Sequence, residues 1–92
     1  MANDRRVRVL VSGDVQGVFF RTTTEDQARE LGVTGWVKNR GDGRVEAEFQ
    51  GPPDAVDRAV DFCRQGPGRA HVTDVEISDI DPVEGESGFQ VR

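Results

Sequence analysis

The sequence contains one cysteine, Cys63, and one histidine, His71, in 92 residues. A single cysteine cannot form an internal disulfide, and with one histidine it cannot supply the ligand set of a structural zinc site. No apolar run approaches the ~18 residues that a membrane-spanning helix needs. Residues 1–6 also lack the hydrophobic core of a signal peptide. We therefore expect a cytoplasmic protein.

Basic residues are in the minority: 12 Lys and Arg against 17 Asp and Glu give a net charge of −5. An acidic surface repels nucleic acids and anionic lipids unless a local basic patch compensates, and the sequence has no basic run of that kind. We therefore expect neither a nucleic-acid partner nor a membrane partner. Lys38 is the only lysine, a bias that indicates a GC-rich genome or adaptation to high salt, and we favour the former.

The hydrophobic period alternates between two and 3.6 along the chain. Alternating valines predict a first strand over residues 7–11, and helical spacing predicts a helix over 20–31 that ends at Gly32. Two further strands, over 33–39 and 45–50, flank a hairpin turn at residues 41–43. A second helix begins near Asp54 and ends at Gly66, with Val56, Ala59, Val60 and Cys63 on its apolar face.

A fourth strand covers residues 72–77, with its onset or a bulge near Thr73, and a short strand follows at 89–91. The order β-α-β-β-α-β predicts a ferredoxin-like α+β sandwich in which two helices cover one face of an antiparallel sheet. In that topology the third strand lies between the first two. Residues 1–92 then form a single domain, and Asn39 lies beside the loop that follows strand 1.

That loop has the composition of an anion-binding site. Glycines at 13 and 17 precede a helix whose first turn contains Arg21. A helix N-terminus presents N–H groups without intrahelical acceptors at the positive end of its dipole, and a guanidinium matches two phosphate oxygens. The sequence therefore predicts a phosphate site made largely of main chain.

Two stretches resemble the signatures of the acylphosphatase family. The first reads Gly13-Asp14-Val15-Gln16-Gly17-Val18-Phe19-Phe20-Arg21. The second reads Gly35-Trp36-Val37-Lys38-Asn39-Arg40-Gly41-Asp42-Gly43-Arg44-Val45, and Gly51 follows it. The similarity extends to residues 88–92 and so covers essentially the whole chain.

The resemblance implies that Arg21 and Asn39 are catalytic. Arg21 binds the phosphate, and Asn39 orients the attacking water. The main-chain N–H groups that surround the phosphate oxygens are those of Val15, Gln16, Gly17, Val18, Phe19 and Phe20. The implied reaction is the hydrolysis of an acyl phosphate to a carboxylate and inorganic phosphate, with no metal and no other cofactor. The partner is then a small-molecule acyl phosphate, and we expect a monomer.

The residues agree with this chemistry without the resemblance. No Walker-type lysine follows the glycines, and no His or carboxylate cluster indicates a catalytic metal. An acyl phosphate releases a carboxylate of pKa ~4–5 and needs less assistance than a phosphate ester. We expect the phosphate of the substrate to accept the water proton, and Asp14 is the alternative acceptor.

Some interpretations remain open in the sequence. A non-catalytic phosphate-binding module is the main functional alternative. An RNA-binding domain of the same topology is a weaker one, because the carboxylates of Glu46 and Glu48 on the open face would repel a phosphate backbone. We interpret Phe19 and Phe20 as anchors of the loop, with contact between Phe19 and an acyl group as the alternative. Trp36 lies on the open face, either covering it or shielded by the C-terminal segment.

Overall fold

The computed structural model describes residues 4–16, 19–66 and 70–92. Their elements follow the predicted order: β1 (Arg5–Asp14), α1 (Phe20–Leu31), β2 (Thr34–Asn39), β3 (Val45–Gly51), α2 (Pro53–Gln65), β4 (His71–Ile80) and β5 (Phe89–Val91). The bounds of α1 match the prediction. Its C-terminal residue is followed by Gly32 at φ 74°, the left-handed conformation that glycine adopts readily.

The five strands form one sheet in the order β4-β1-β3-β2-β5. The pairs β1–β3, β1–β4 and β2–β3 are antiparallel, so β3 separates β1 from β2 as predicted. β5 pairs with β2 in parallel, which makes the sheet mixed and was not predicted. Because β1 and β2 run in the same direction, Asp14 and Asn39 end at the same edge of the sheet.

The core lies between the sheet and the two helices. It contains Val7, Val9 and Val11 of β1, Ala47 and Phe49 of β3, and Phe89 of β5, whose ring stacks on that of Phe49 with centroids 5.6 Å apart. The predicted apolar face of α2 is buried, and burial raises the pKa of the Cys63 thiol to about 12. Cys63 is therefore an inert core residue.

β1 and β4 approach each other closely where β1 ends. The register shifts between Ser12, opposite Asp74, and Gly13, opposite Val72, so Thr73 is the extra residue of a bulge. Gly13 has φ 122°, and a Cβ there would collide with the main-chain oxygen of His71. The first glycine of the loop is thus required by strand packing as well as by the turn.

The open face of the sheet is covered by ion pairs. Arg6 is 3% exposed and donates to the carboxylates of Glu48, at 2.9 Å, and Glu86, at 2.7 Å. Gln50 accepts from the main-chain N–H of Val83 at 2.7 Å, which holds the loop before β5 against this face. The face is therefore a charged, hydrogen-bonded layer.

Trp36 is buried on this open face. The guanidinium of Arg92 lies 4.9 Å from its ring centroid and the Lys38 ammonium 5.6 Å away. The C-terminal segment therefore does shield the indole. In the part of the chain that the structure describes, no helix is both long and apolar enough to span a bilayer.

Candidate active site

Arg21, Asn39 and three of the six predicted loop residues line one cavity of about 220 Å³ at the edge where β1 and β2 end, and Gln16 is not in its described lining. Its described walls come from Val15, Phe19, Phe20, Arg21, Thr22 and Asn39. Adjacent strands lie ~4.8 Å apart, so the β3 strand between β1 and β2 leaves a gap of roughly 10 Å between their backbones. Side chains of ordinary length can bridge that gap to hold one ligand.

The N-terminus of α1 opens into this cavity. Phe19 occupies the N-cap position, and no side chain caps the helix. The first turn contains no acidic residue. The hydroxyls of Thr22 and Thr23 both donate to the main-chain oxygen of Phe19, at 3.2 and 2.8 Å. The arrangement leaves the helix dipole uncompensated by any carboxylate of its own first turn, which favours an anion there.

Arg21 is held by the C-terminal segment. Its Nη1 donates to the main-chain oxygen of Arg92 at 3.0 Å, and the N–H of Arg92 donates to the carbonyl of Val37 at 2.8 Å. Among residues 4–16, 19–66 and 70–92, no aspartate or glutamate side chain pairs with Arg21. The guanidinium is thus oriented by the oxygen of Arg92, the last residue of the sequence, while no side-chain carboxylate of the described residues neutralises its charge.

Asn39 is the last residue of β2, opposite Val45 of β3. Its side chain is exposed, and within the described part of the chain its carboxamide has no hydrogen-bond partner. Asn39 also borders a second, polar cavity of about 380 Å³ beside the β2–β3 turn. The amide is therefore available to a water or ligand.

Gln16 joins the loop to the β2–β3 turn. Its Nε2 donates to the carbonyls of Arg40, at 2.8 Å, and Arg44, at 2.9 Å. The turn is closed by the N–H of Arg40, which donates to the carbonyl of Arg44 at 2.8 Å. The side chain of Gln16 thus ties the loop after β1 to the main chain of Arg40, the residue after Asn39. The sequence predicts only the main-chain N–H of Gln16 as a site group, because nothing in the local sequence indicates a bond across 24 residues.

The main-chain N–H groups predicted to bind phosphate are not all free of hydrogen bonds within the protein. The N–H of Val15 donates to the carbonyl of Gly13 at 3.0 Å, so in this conformation it is occupied within the loop. Gly17 and Val18 lie outside the described residues. Asp14 belongs to β1, opposite His71, and is not among the described residues that line the cavity.

The two phenylalanines of the loop have different environments. Phe20 is 2% exposed, and its ring lies 6.5 Å from that of Phe62 in α2, so it anchors the end of the loop in the core, as predicted. Phe19 is 80% exposed, and the prediction that it anchors the loop is wrong. Its left-handed backbone, φ 61° and ψ 25°, turns the side chain out of the core to the rim of the cavity.

Three kinds of similarity converge on one family. The acylphosphatase family model matches residues 7–91. An acylphosphatase of Haloarcula marismortui is 55% identical over 87 residues, covering 95% of this chain and 94% of that protein.

Two solved structures superpose with a TM-score of 0.91. An acylphosphatase from Coxiella burnetii is 42% identical, covering 98% of this chain and 94% of that one. An acylphosphatase from Bacillus subtilis is 36% identical, covering 96% and 98%. The ferredoxin-like α+β fold, the two sequence signatures and these similarities lead to the same conclusion: the chain belongs to the acylphosphatase family.

Proposed function

We propose that this chain hydrolyses acyl phosphates as a single domain, residues 1–92, with Arg21 and Asn39 as catalytic residues. The observation that carries the proposal is the shared cavity: Arg21 from α1 and Asn39 from β2 line one hollow at the end of the sheet. The family supplies the reaction, and the geometry supplies a role for each residue.

The phosphate is held by charge and by main-chain donors. Arg21 presents a cationic fork, and the first turn of α1 adds N–H groups with the helix dipole behind them. We assign the N–H groups of residues 15–20 to the oxygens of the phosphate, and that of Val15 exchanges its bond to Gly13 for the substrate. Phosphoryl transfer needs positioning and charge compensation above all, which this arrangement provides.

Asn39 holds the attacking water on the opposite wall. The carboxamide oxygen can accept a hydrogen bond from the water, which leaves a lone pair of the water oxygen directed at phosphorus. A bond forms between the water oxygen and phosphorus as the bond to the acyl oxygen breaks. The carboxylate leaves with the electron pair, and the phosphate of the substrate takes the proton. Asp14 lies on β1 outside the described cavity lining, which favours the phosphate as acceptor.

The site suits an activated substrate. A carboxylate is a good leaving group and needs neither a general acid nor a metal to leave. Among the described residues, no group of three His, Cys, Asp or Glu side chains could hold a metal ion. That the reaction needs no metal and no cofactor stays a prediction, as do a monomeric state, a cytoplasmic location and the lack of a nucleic-acid partner.

The open face gives little support to the RNA-binding alternative. Recognition of that kind uses exposed aromatic side chains on the two central strands. β1 carries Arg8 and Leu10 there, and β3 carries Glu46 and Glu48, which are buried beneath arginines. The reason differs from the predicted one, because these carboxylates are paired rather than free to repel phosphates.

Replacement of Asn39 separates an enzyme from a phosphate-binding module. We expect Asn39→Ala to lower kcat for benzoyl phosphate on the order of 10²-fold or more, since it removes the group that orients the water. The inhibition constant of inorganic phosphate should change only a few-fold, because Arg21 and the loop remain. Lys38→Ala, next in the chain but directed over Trp36, should leave both unchanged.

The assay is run with EDTA present throughout. Loss of the wild-type activity in EDTA would contradict the metal-free mechanism. Phosphate binding without hydrolysis of benzoyl or acetyl phosphate by the wild type would make the chain a binding module. Wild-type turnover in Asn39→Ala would remove the role given to the carboxamide.

A further inference from the structure

Phe19 combines two properties that are unfavourable in a folded protein. Its ring is 80% exposed, the largest exposure among the large hydrophobic side chains that the structure describes. In the described part of the chain it is also the only non-glycine residue with positive φ. An aromatic side chain in the left-handed region costs free energy, and such strain is characteristic of functional sites.

The Phe19 ring does not belong to the core that the described residues form. The loop is anchored by its neighbour Phe20, which packs against Phe62, and by the two hydrogen bonds of Gln16. The helix start uses Phe19 only through its main-chain oxygen, which accepts from Thr23. Glycine or asparagine would satisfy this backbone better. The ring therefore has to be explained by something outside the core.

The ring lines the same cavity as Arg21 and Asn39. In an in-line displacement, the leaving group departs on the side of phosphorus opposite to the attacking water. If Asn39 holds the water on the β2 wall, the acyl group leaves toward the wall formed by α1 and its loop. Phe19 is the exposed apolar side chain of that wall.

The second cavity does not suit an apolar acyl group. Its lining includes Lys38, Arg40, Asp42 and Glu46, and it shares only Asn39 with the described lining of the first cavity. Its charged groups also pair with one another: Arg40 donates to Asp42 at 3.2 Å and to Glu46 at 3.3 Å. The apolar side of the site is the Phe19 side.

We propose that the Phe19 ring is the contact surface for the acyl part of the substrate, and that it favours acyl phosphates with flat, apolar acyl groups over small ones. The inference rests on the proposed function. An aromatic ring offers its face to an aryl group with a gain that a two-carbon acetyl group cannot match. Phe19 is then a specificity-determining residue for the acyl group, while the phosphate is bound by groups common to every substrate.

The test compares benzoyl phosphate with acetyl phosphate in wild type and Phe19→Asn. Asparagine tolerates the left-handed conformation, so the variant removes the ring without adding strain. We expect the ratio of kcat/KM for benzoyl over acetyl phosphate to fall on the order of 3- to 10-fold, mostly through KM. Any effect on phosphate binding cancels in the ratio, because both substrates carry the same phosphate.

Phe19→Leu and Val83→Ala complete the set. Leucine keeps an apolar surface but not a flat one, so Phe19→Leu should give an intermediate ratio. Val83 is exposed but lies in the loop before β5, and Val83→Ala should match the wild type.

An unchanged ratio in Phe19→Asn, with the variant folded by circular dichroism, would overturn the inference and leave the proposed function intact. Hydrolysis of neither substrate by the wild type would overturn both.

Discussion

Arg6 and Arg21 differ in their electrostatic environment: Arg6 is paired with side-chain carboxylates, and Arg21, among the described residues, is not. Arg6 is buried and donates to the carboxylates of Glu48 and Glu86 and to the amide oxygen of Gln50. Arg21 is oriented by one main-chain oxygen, that of Arg92, and no side-chain carboxylate in the described chain pairs with it. The guanidinium of Arg6 holds the loop before β5 against the open face of the sheet. Arg21 has no side-chain counter-ion among the described residues, so a phosphate competes for it only with the oxygen of Arg92, the last residue of the sequence.

The comparison shows how a chain with a net charge of −5 can bind a phosphate. The acidic residues are not spread evenly around the arginines. Several acidic residues form ion pairs on the open face, as Glu46 and Glu48 do with Arg8, while the first turn of α1 has no acidic residue. Arg21 is the one charged side chain in the described lining of the site, so the side-chain charge nearest a bound phosphate is positive although the whole molecule is acidic.

The largest expected effect is on catalysis at Arg21. Arg21→Ala should lower kcat/KM for benzoyl phosphate on the order of 10³-fold or more, since it removes the cation that stabilises the transition state. Its urea unfolding midpoint should stay near the wild-type value, because the side chain makes a single hydrogen bond at the surface. The matched control is Arg29→Ala on the same helix, which breaks an exposed pair with Glu25 and should retain full activity. An equal loss of activity in Arg21→Ala and Arg29→Ala would contradict the specific role of Arg21.

Replacement of Arg6 should have the opposite profile. Arg6→Ala leaves Glu48 and Glu86 without their buried cation, and we expect a loss of about 3–5 kcal/mol in the free energy of unfolding. The kcat of the folded fraction should remain near wild type. Arg8→Ala is the control, because Arg8 also contacts Glu48 but its side chain is 48% exposed, so its loss should cost less than about 1 kcal/mol. Urea titration of the three proteins decides; similar midpoints for both variants would contradict the structural role of Arg6.

The smallest effect is the pH dependence due to Glu86. Burial alone would raise the pKa of this carboxyl, but the hydrogen bonds from Arg6 and Thr34 outweigh burial and hold the pKa below its ordinary value of 4.5. A carboxyl with a depressed pKa in the folded state stabilises the protein above its unfolded pKa, and this stabilisation is lost as the pH falls through the folded pKa. Glu86→Gln should cost about 1 kcal/mol at pH 7 and flatten the fall in stability below pH about 4.5. An unchanged profile in a series of urea titrations would assign the acid sensitivity to other groups.

The features that could be predicted from the sequence are those that depend on local periodicity or on the two family signatures. The bounds of α1, the buried face of α2 and the bulge at Thr73 follow from residues a few positions apart. The placement of Asn39 opposite Arg21 follows from the order of the strands, because β1 and β2 must end at one edge.

The rest depends on contacts between distant segments. Nothing near Arg6 in the chain indicates that Glu86 will lie against it, and nothing near Gln16 indicates the carbonyls of Arg40 and Arg44. Phe19 was misassigned because hydrophobicity favours burial, whereas its backbone conformation directs the ring outward.

The bond of Gln16 to the β2–β3 turn has a consequence for how this protein can vary. Gln16 donates to carbonyl oxygens, which every amino acid possesses. These bonds therefore depend on the path of the main chain in the turn and not on the side chains at the two acceptor residues. The bond to Gln16 therefore survives exchanges at residues 40–44 that keep the course of the turn, which itself depends on Gly43 at φ 90° and on the bonds accepted by Asp42, while the number of residues between Asn39 and Val45 is kept. An insertion there moves both acceptors and changes the distance between the loop after β1 and Asn39, the residue proposed to hold the water, even though neither Arg21 nor Asn39 has been replaced.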